Sequence, residues 1–246
     1  MAEIYRLIPA KNNNTDEIGL YDISHDYFYT NAGTGTFTPG PEVHDQIPPE
    51  LYADYTEYEY IESTGTQYIQ TPWTCRQNSI LYAKAQLTEV TNTYSAIYGA
   101  SGIPGQSTYT PVMECLIKND ASNNVLFGYE NRTDHFGTVS NPLAVHEYYQ
   151  NMNENYIDDV LQSTYTGTGN FGLSYTLPIF AKNENGTIKN YAKMKLYLFV
   201  IAEDSWTPPE PPTPTLKLYY DGNSVSDLYY NGSHVDHLVY NGNPVE

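Results

Sequence analysis

The sequence predicts an all-β protein: an antiparallel jelly-roll β-sandwich followed by a short C-terminal β-repeat tail. Three observations carry that prediction. Tyrosine is abundant, at 26 residues against 11 lysines and arginines together. Its rigid ring with a polar tip suits half-buried pleated surfaces. Several segments alternate apolar and polar residues with period two, the signature of a strand with one buried face. The last thirty residues repeat with a period of ten, each unit centred on Asp-Gly or Asn-Gly. Those pairs are favoured in two-residue hairpin turns, where both positions need positive φ.

The chain has 246 residues, a length that fits one sandwich with appendages. Residues 1–43 form an N-terminal segment ending in the turn-rich stretch from Asn31 to Gly40, and residues 44–56, with Pro48 and Pro49, read as a connector. The main block of strands follows over 57–205. Within it, Glu57 to Glu62 alternates, Ser63 to Thr66 is a turn, and Gln67 to Gln70 returns as a second strand. Ser79 to Leu87 and Pro111 to Lys118 alternate again. In 143–161 a helix competes, because Leu143, Val145, Tyr149, Met152, Tyr156 and Val160 fit one helical face. The Asn and β-branched content favours a hairpin there. Lys193 to Ile201 is a strongly apolar strand, placed centrally in a sheet. Residues 206–215 hold five prolines and read as a polyproline II spacer, roughly 30 Å long at about 3.1 Å per residue.

The repeats occupy 216–246. Tyr220, Tyr230 and Tyr240 align, as do Gly222, Gly232 and Gly242, and Val225, Val235 and Val245. Each unit reads as strand, tight turn, strand. Three such hairpins bury little apolar surface alone. They therefore predict a partner, either further copies of the chain (a trimer among the options) or a docking protein; a frayed β tail is the plainer reading.

A formal charge of −18 argues against nucleic acid, which needs clustered Lys and Arg, and against anionic membrane surfaces. No stretch approaches the roughly 20 apolar residues of a membrane span, and the first residues lack the basic and apolar regions of a signal peptide. The expectation is folding in a cytoplasm. Cys75 and Cys115 read as small apolar side chains rather than as a bridge or metal pair.

The string Glu59 to Ile69 (EYIESTGTQYI) resembles the opening strands of concanavalin-like, laminin-G-like jelly rolls of phage and gut-bacterial surface proteins. Lys193 to Phe199 (KMKLYLF) is similar to a late strand of that module, and Ile18 to Asp22 with Phe28 to Phe37 to its closing segment. In the family the closing segment follows the late strand; here it comes first, so the chain looks circularly permuted. Residues 3–43 then complete the sandwich begun at 57, complete a neighbouring copy by strand exchange, or pack elsewhere. The resemblance, the spacer and the repeats together imply a virion protein of a bacteriophage: a head-fibre, capsid-decoration or tail-fibre component. It would be made in the host cytoplasm, assemble with other virion proteins and act by surface complementarity.

The sequence carries no catalytic signature. A glycosidase needs two carboxylates about 5–9 Å apart. Asp158 and Asp159, read as strand neighbours, point to opposite faces, and Glu57, Glu59 and Glu62 are explained by an exposed strand. No metal site or cofactor is predicted: His234 and His237 read as solvated, and Asn119, Asp120, Asn123 and Asn124 are calcium candidates by analogy alone. Gly99 to Gly105 reads as a flexible loop, and Lys182, Lys189, Lys193 and Lys195 as a positive patch on one hairpin. The positive expectation is glycan binding, for instance to a bacterial surface polysaccharide. Aromatic faces backed by Asn, Asp and Gln hold sugars, and the loop tyrosines Tyr94, Tyr98, Tyr109 and Tyr129 are the candidates. A glycoside hydrolase is the remaining alternative.

Overall fold

A computed structural model describes residues 4–102, 111–118, 124–130, 132–151, 154–164 and 173–203, together with the tail strands between 218 and 245. By contact density the chain divides into two units, Met1–Trp206 and Thr207–Glu246. Among the described residues there is no α-helix, and one 3-10 turn spans Pro49–Leu51.

Among the described residues of the first unit there are twenty strands. The N-terminal segment supplies β1 (Ile4–Asn12), β2 (Ile18–Asp22), β3 (Tyr27–Tyr29), β4 (Thr38–Pro39) and β5 (Glu42–Val43). Next come β6 (Tyr55–Tyr58), β7 (Ile61–Thr64), β8 (Ile69–Gln70), β9 (Ser79–Leu87) and β10 (Ser95–Ser101). The middle holds β11 (Val112–Ile117), β12 (Val125–Glu130), β13 (Arg132–Gly137), β14 (Val145–Asn151), β15 (Glu154–Ile157) and β16 (Val160–Thr164). The last are β17 (Pro178–Ile179), β18 (Lys182–Glu184), β19 (Thr187–Lys189) and β20 (Lys193–Glu203).

Two sheets face each other. The larger runs β16-β15-β14-β9-β20-β1-β2-β3, with β4 to β7 joined at its side; the smaller runs β13-β12-β11-β10-β17-β8, with β18 attached to β10 and β19 to β18. β20 lies at the centre of the larger sheet. It pairs antiparallel with β9 on one side, and on the other with β7 near its start and β1 near its end, Ile4 opposite Ala202 and Leu7 opposite Phe199. The first strand of the chain thus extends the sheet that holds the last strand of the unit.

The core between the sheets follows from period-two alternation. Leu81, Ala83, Ala85 and Leu87 of β9 face Met113, Cys115 and Ile117 of β11 and Val125 and Phe127 of β12 within one buried cluster. In β20 the inward residues change parity, from Met194 and Leu196 to Phe199 and Ile201. A β-bulge between Leu196 and Leu198 inserts the residue that makes this possible, so an almost uniformly apolar string can present both its halves to one core. Phe199 meets Tyr98 edge-on across the sandwich, with centroids 5.5 Å apart. Large side chains buried in this way contribute about 1.5–3 kcal/mol each. Cys75 and Cys115 are both buried and free, and burial raises both thiols above their ordinary range.

A second small core lies on the other face of the larger sheet. Ile8, Ala10 and Tyr21 pack there with Ile47, against Leu51, Tyr52 and Tyr55. The segment read as a connector thus covers a sheet face. Its anchor is Glu57, whose Oε2 accepts the backbone N–H groups of Asp45, Gln46 and Ile47 at 2.9–3.1 Å. That satisfies a buried carboxylate and orders the loop in one step.

The turns explain further sequence features. Gly33 lies against the Thr66 carbonyl where any Cβ would collide, so the Gly-rich string at 31–37 can run beside 66–68. Thr34 N–H donates to Thr66 and Ala32 N–H to Tyr68. Asp158 and Asp159 have φ of 50° and 61° and form the two-residue turn between β15 and β16. This corrects their reading as strand residues: the backbone of both is left-handed, the geometry a tight hairpin demands. Residues 145–157 are strands rather than a helix. Glu59 and Tyr60 break the predicted strand into β6 and β7, and Gly99–Ser101 belong to β10 rather than to a loop.

In the tail unit three two-stranded hairpins recur: Leu218–Tyr220 with Asn223–Val225, Tyr229–Tyr230 with Ser233–His234, and Leu238–Tyr240 with Asn243–Val245. Tyr220, Tyr230 and Tyr240 end the first strand of each, and Val225 and Val245 close their second strands. Gly222, Gly232, Gly242, Val235 and His237 lie outside the described residues.

Candidate functional site

An open cleft of about 640 Å³ lies where β1, β3 and β8 meet, lined by Tyr5, His25, Tyr27, Tyr29, Gln70 and Thr176 among others. Its size falls within the 300–1,000 Å³ range of small-ligand sites. The aromatic wall is pre-organised from below. Asp22, wholly buried at the end of β2, accepts the Ser24 N–H at 3.0 Å through Oδ1, and its Oδ2 stands 2.7 Å from His25 Nδ1. This fixes the imidazole so that it stacks on Tyr5, with centroids 4.3 Å apart and planes 29° from parallel. Tyr5 in turn meets Trp73 edge-on at 5.2 Å.

The opposite wall is a pair of rings on β3. Tyr29 is 8% exposed and Tyr27, next on the same face, is 57% exposed; they meet at 4.7 Å and 63°. The period of two in a strand places both on one side, one rooted in the core and the other offered to solvent. Burial first, then the nearby Asp22 carboxylate, pushes the Tyr29 phenol up to about 12, so it remains a hydrogen-bond donor at any ordinary pH. On the floor, Gln70 Nε2 donates to Thr176 Oγ1 at 2.9 Å and to the Thr71 carbonyl at 3.2 Å. Both its N–H groups are thereby engaged, and its side-chain oxygen is the group left to accept.

A second groove, of about 620 Å³, lies at the start of β10 and β20, where Tyr94, Asn92, Lys118, Asn190, Tyr191 and Lys193 come together. Among the described residues, Tyr94 is the one predicted tyrosine found at a groove. Tyr98 and Tyr129 require correction. Both are strand residues whose rings face the core, at 0% and 4% exposure. The Tyr98 hydroxyl donates to Gln150 Oε1 at 3.2 Å and that of Tyr129 to the Gln77 carbonyl at 2.6 Å. Inward-facing aromatic rings fill the sandwich, and no sugar face remains on them. Tyr109 lies outside the described residues. Sequence reasoning missed Tyr5, Tyr27 and Tyr29. The signal lay in Tyr27 to Tyr29 (YFY), where alternation puts two tyrosines on one face.

Other candidates resolve as structural groups. The four-lysine patch is dispersed among separate partners: Lys182 is buried 2.7 Å from Glu114, Lys189 pairs with Glu184, Lys193 with Glu89, and Lys195 lies over the Tyr60 ring at 4.4 Å. Asn124 is pinned to the Val139 backbone through both side-chain atoms, while residues 119–123 lie outside the described set. Asp158 Oδ2 stands 2.6 Å from His146 Nδ1, and Glu57 is committed to its loop. Among the described residues no group of three or more His, Cys, Asp or Glu side chains could hold a metal.

No protein-family model matches the chain, and no curated protein does. Among solved structures it is similar to domain 4 of AbnA, an extracellular GH43 arabinanase from Geobacillus stearothermophilus, in complex with arabinotriose. The identity is 14% and the TM-score 0.51, over 84% of this chain and 96% of that one. That likeness is one of fold, a β-sandwich in both.

Proposed function

We propose that this chain is a saccharide-binding β-sandwich carried on a bacteriophage particle, and that it acts by binding rather than catalysis. One observation carries the binding part. The Tyr27 ring is 57% exposed at the mouth of a pre-organised cleft, with a phenol, an amide oxygen and a threonine hydroxyl within the same walls. A pyranose or furanose presents an apolar C–H face and a rim of hydroxyls, and this arrangement complements both. The fold neighbour was solved with arabinotriose, which makes a neutral trisaccharide the natural first probe.

The reading as a binder has a local chemical basis. No carboxylate is among the described residues that line the cleft, and Asp22, which orients its His25, is buried and spent on Ser24 and His25. Hydrolysis of a glycoside by the usual route needs two carboxylates facing the substrate. The virion setting is supported by the strings shared with phage and gut-bacterial surface modules, the proline spacer and the repeated tail hairpins, which would attach the chain to other virion proteins or to further copies of itself.

Titration with arabinotriose and a panel of neutral bacterial-surface trisaccharides tests the first part. Binding in the millimolar-to-micromolar range is expected, with loss in Tyr27→Ala; binding that survives this change would reject the site. Reducing-sugar release from host capsule would reject the non-catalytic reading. Mass spectrometry of purified particles tests the setting, and absence of the chain from them would end it.

A further inference from the structure

We propose that Lys182 and Glu114 condense into an amide that staples β18 to β11 across the smaller sheet, with Glu184 carrying the protons. The cross-link depends on neither cleft.

β10 lies between β11 and β18. In its register Gly99 stands opposite Glu114 of β11, and Ala100 opposite Asn183 of β18, which puts Lys182 beside Gly99 from the other side. Side chains alternate along a strand. Met113 and Cys115 belong to the core between the sheets, so Glu114 points to the other face. There the two side chains meet over Gly99. A Cβ on Gly99 would stand 3.0 Å from Glu114 Cβ and 3.3 Å from Lys182 Cγ. A Cβ on Gly128, opposite Glu114 on β12, would stand 2.6 Å from Glu114 Cγ. Glycine inside a strand weakens it and marks a close approach. Here one on each strand flanking β11 clears the space that the pair occupies.

Lys182 Nζ is 2.7 Å from Glu114 Oε2 and 3.4 Å from Glu184 Oε2. Glu114 is 2% exposed and Lys182 6%. An ion pair taken out of water recovers its desolvation cost only through good geometry and further hydrogen bonds. This pair lacks that geometry. Close as the two atoms are, their angles are not those of a hydrogen bond, and Glu114 Oε2 has no hydrogen-bond partner. A dry, misaligned ammonium and carboxyl are poorly served as ions, and a neutral amide removes both charges.

The two carboxyl groups beside Lys182 are pushed apart. Burial raises Glu114 above the ordinary carboxylate range, against the pull of Lys182. Burial acts on Glu184 in the same direction, but Lys189, 2.6 Å from its Oε1, and Lys182 outweigh it and hold that carboxyl low. Such a pair divides into an acid and a base. The Glu184 carboxylate takes one proton from the Lys182 ammonium. The freed amine adds to Glu114 Cδ, and the C–N bond forms. A second N–H proton passes to the Glu114 hydroxyl, the C–O bond breaks and water leaves, while the first proton goes on to solvent. No oxidant or co-reactant enters. Fixed contact supplies the effective concentration that the same groups lack in solution.

The intact mass of the full chain, measured in denaturant until it no longer changes, tests this. The chain is expected to be one water lighter than its sequence gives. A digest should then yield one branched peptide joining the Glu114 segment to the Lys182 segment. Lys182→Arg should keep the full mass. Glu184→Gln, which retains both reacting groups, should form the bond about a hundredfold more slowly. Before it does so it should melt about 10 °C below the parent, since the bond closes a long loop. The full sequence mass in the folded parent, a lost water that maps to other residues, or a cooperatively melting Glu184→Gln that cross-links as fast as the parent would each overturn the proposal.

Discussion

The two clefts mark opposite ends of one strand and are built on different physics. The aromatic cleft is rooted in the interior. Its wall hangs on Asp22, which is wholly buried and holds the backbone of Ser24 and the ring of His25, and its second wall continues a buried tyrosine, Tyr29, outward to Tyr27. The groove at the other end is rooted at the surface, where the Lys193–Glu89 pair has both side chains close to half exposed. The difference teaches where stability and recognition are coupled. A side chain that orients a site from within the core also holds the fold, whereas one that orients it from the surface can be changed nearly for nothing.

That contrast can be broken by measurement. The largest effect is expected for Asp22→Ala, which removes a buried acceptor and orphans its partners. Chemical denaturation should show a loss of roughly 2–4 kcal/mol, and neutral-sugar binding should go with it; a loss under 1 kcal/mol would mean the cleft is not rooted as described. Next is Tyr27→Ala, with about a tenfold loss of neutral saccharide binding, near 1.4 kcal/mol, and a stability change within about 0.5 kcal/mol as for exposed sites. Third is a pH effect. Burial and Asp22 hold the Tyr29 phenol up to about 12, while in the unfolded chain it ionises near 10. Between these values the unfolded state has lost a proton that the folded state keeps, so stability falls as pH rises from 10 toward 12. Tyr29→Phe should lose less stability across that window than the parent, as read by denaturation at pH 9 and 11. The smallest effect belongs to Lys193→Met, expected to cost less than about 1 kcal/mol, as exposed ion pairs do. A larger cost would place that pair among the structural supports and narrow the contrast.

The candidate site was only partly legible in the sequence. Tyr94 was identifiable because it precedes an apolar strand amid Thr and Asn. Tyr98 and Tyr129 looked equivalent, yet they fall within strands and face inward. A period-two pattern gives alternation but not which parity is inside, and the bulge between Ala96 and Tyr98 shifts that parity within β10. Tyr5 and Tyr27 share no local pattern at all; they converge because β1 to β3 fold as a meander. The lysine patch failed as an expectation for the same reason, since Lys193 and Lys182 pair with Glu89, just after β9, and Glu114 of β11, roughly 100 and 70 residues away in sequence.

By itself the sequence determined what is local: β rather than helix, from alternation and tyrosine content; the turn pairs and the period of the tail; and the excess of negative charge. These are set by backbone dihedrals and side-chain periodicity within a few residues. Only the tertiary structure decided what is non-local: that β1 adds to β20, that the 44–54 segment covers a sheet face through Glu57, and which tyrosines remain exposed at a cleft. Side-chain exposure is a property of what packs on top, and two sheets assembled from strands far apart in the chain settle it only once they have closed on each other.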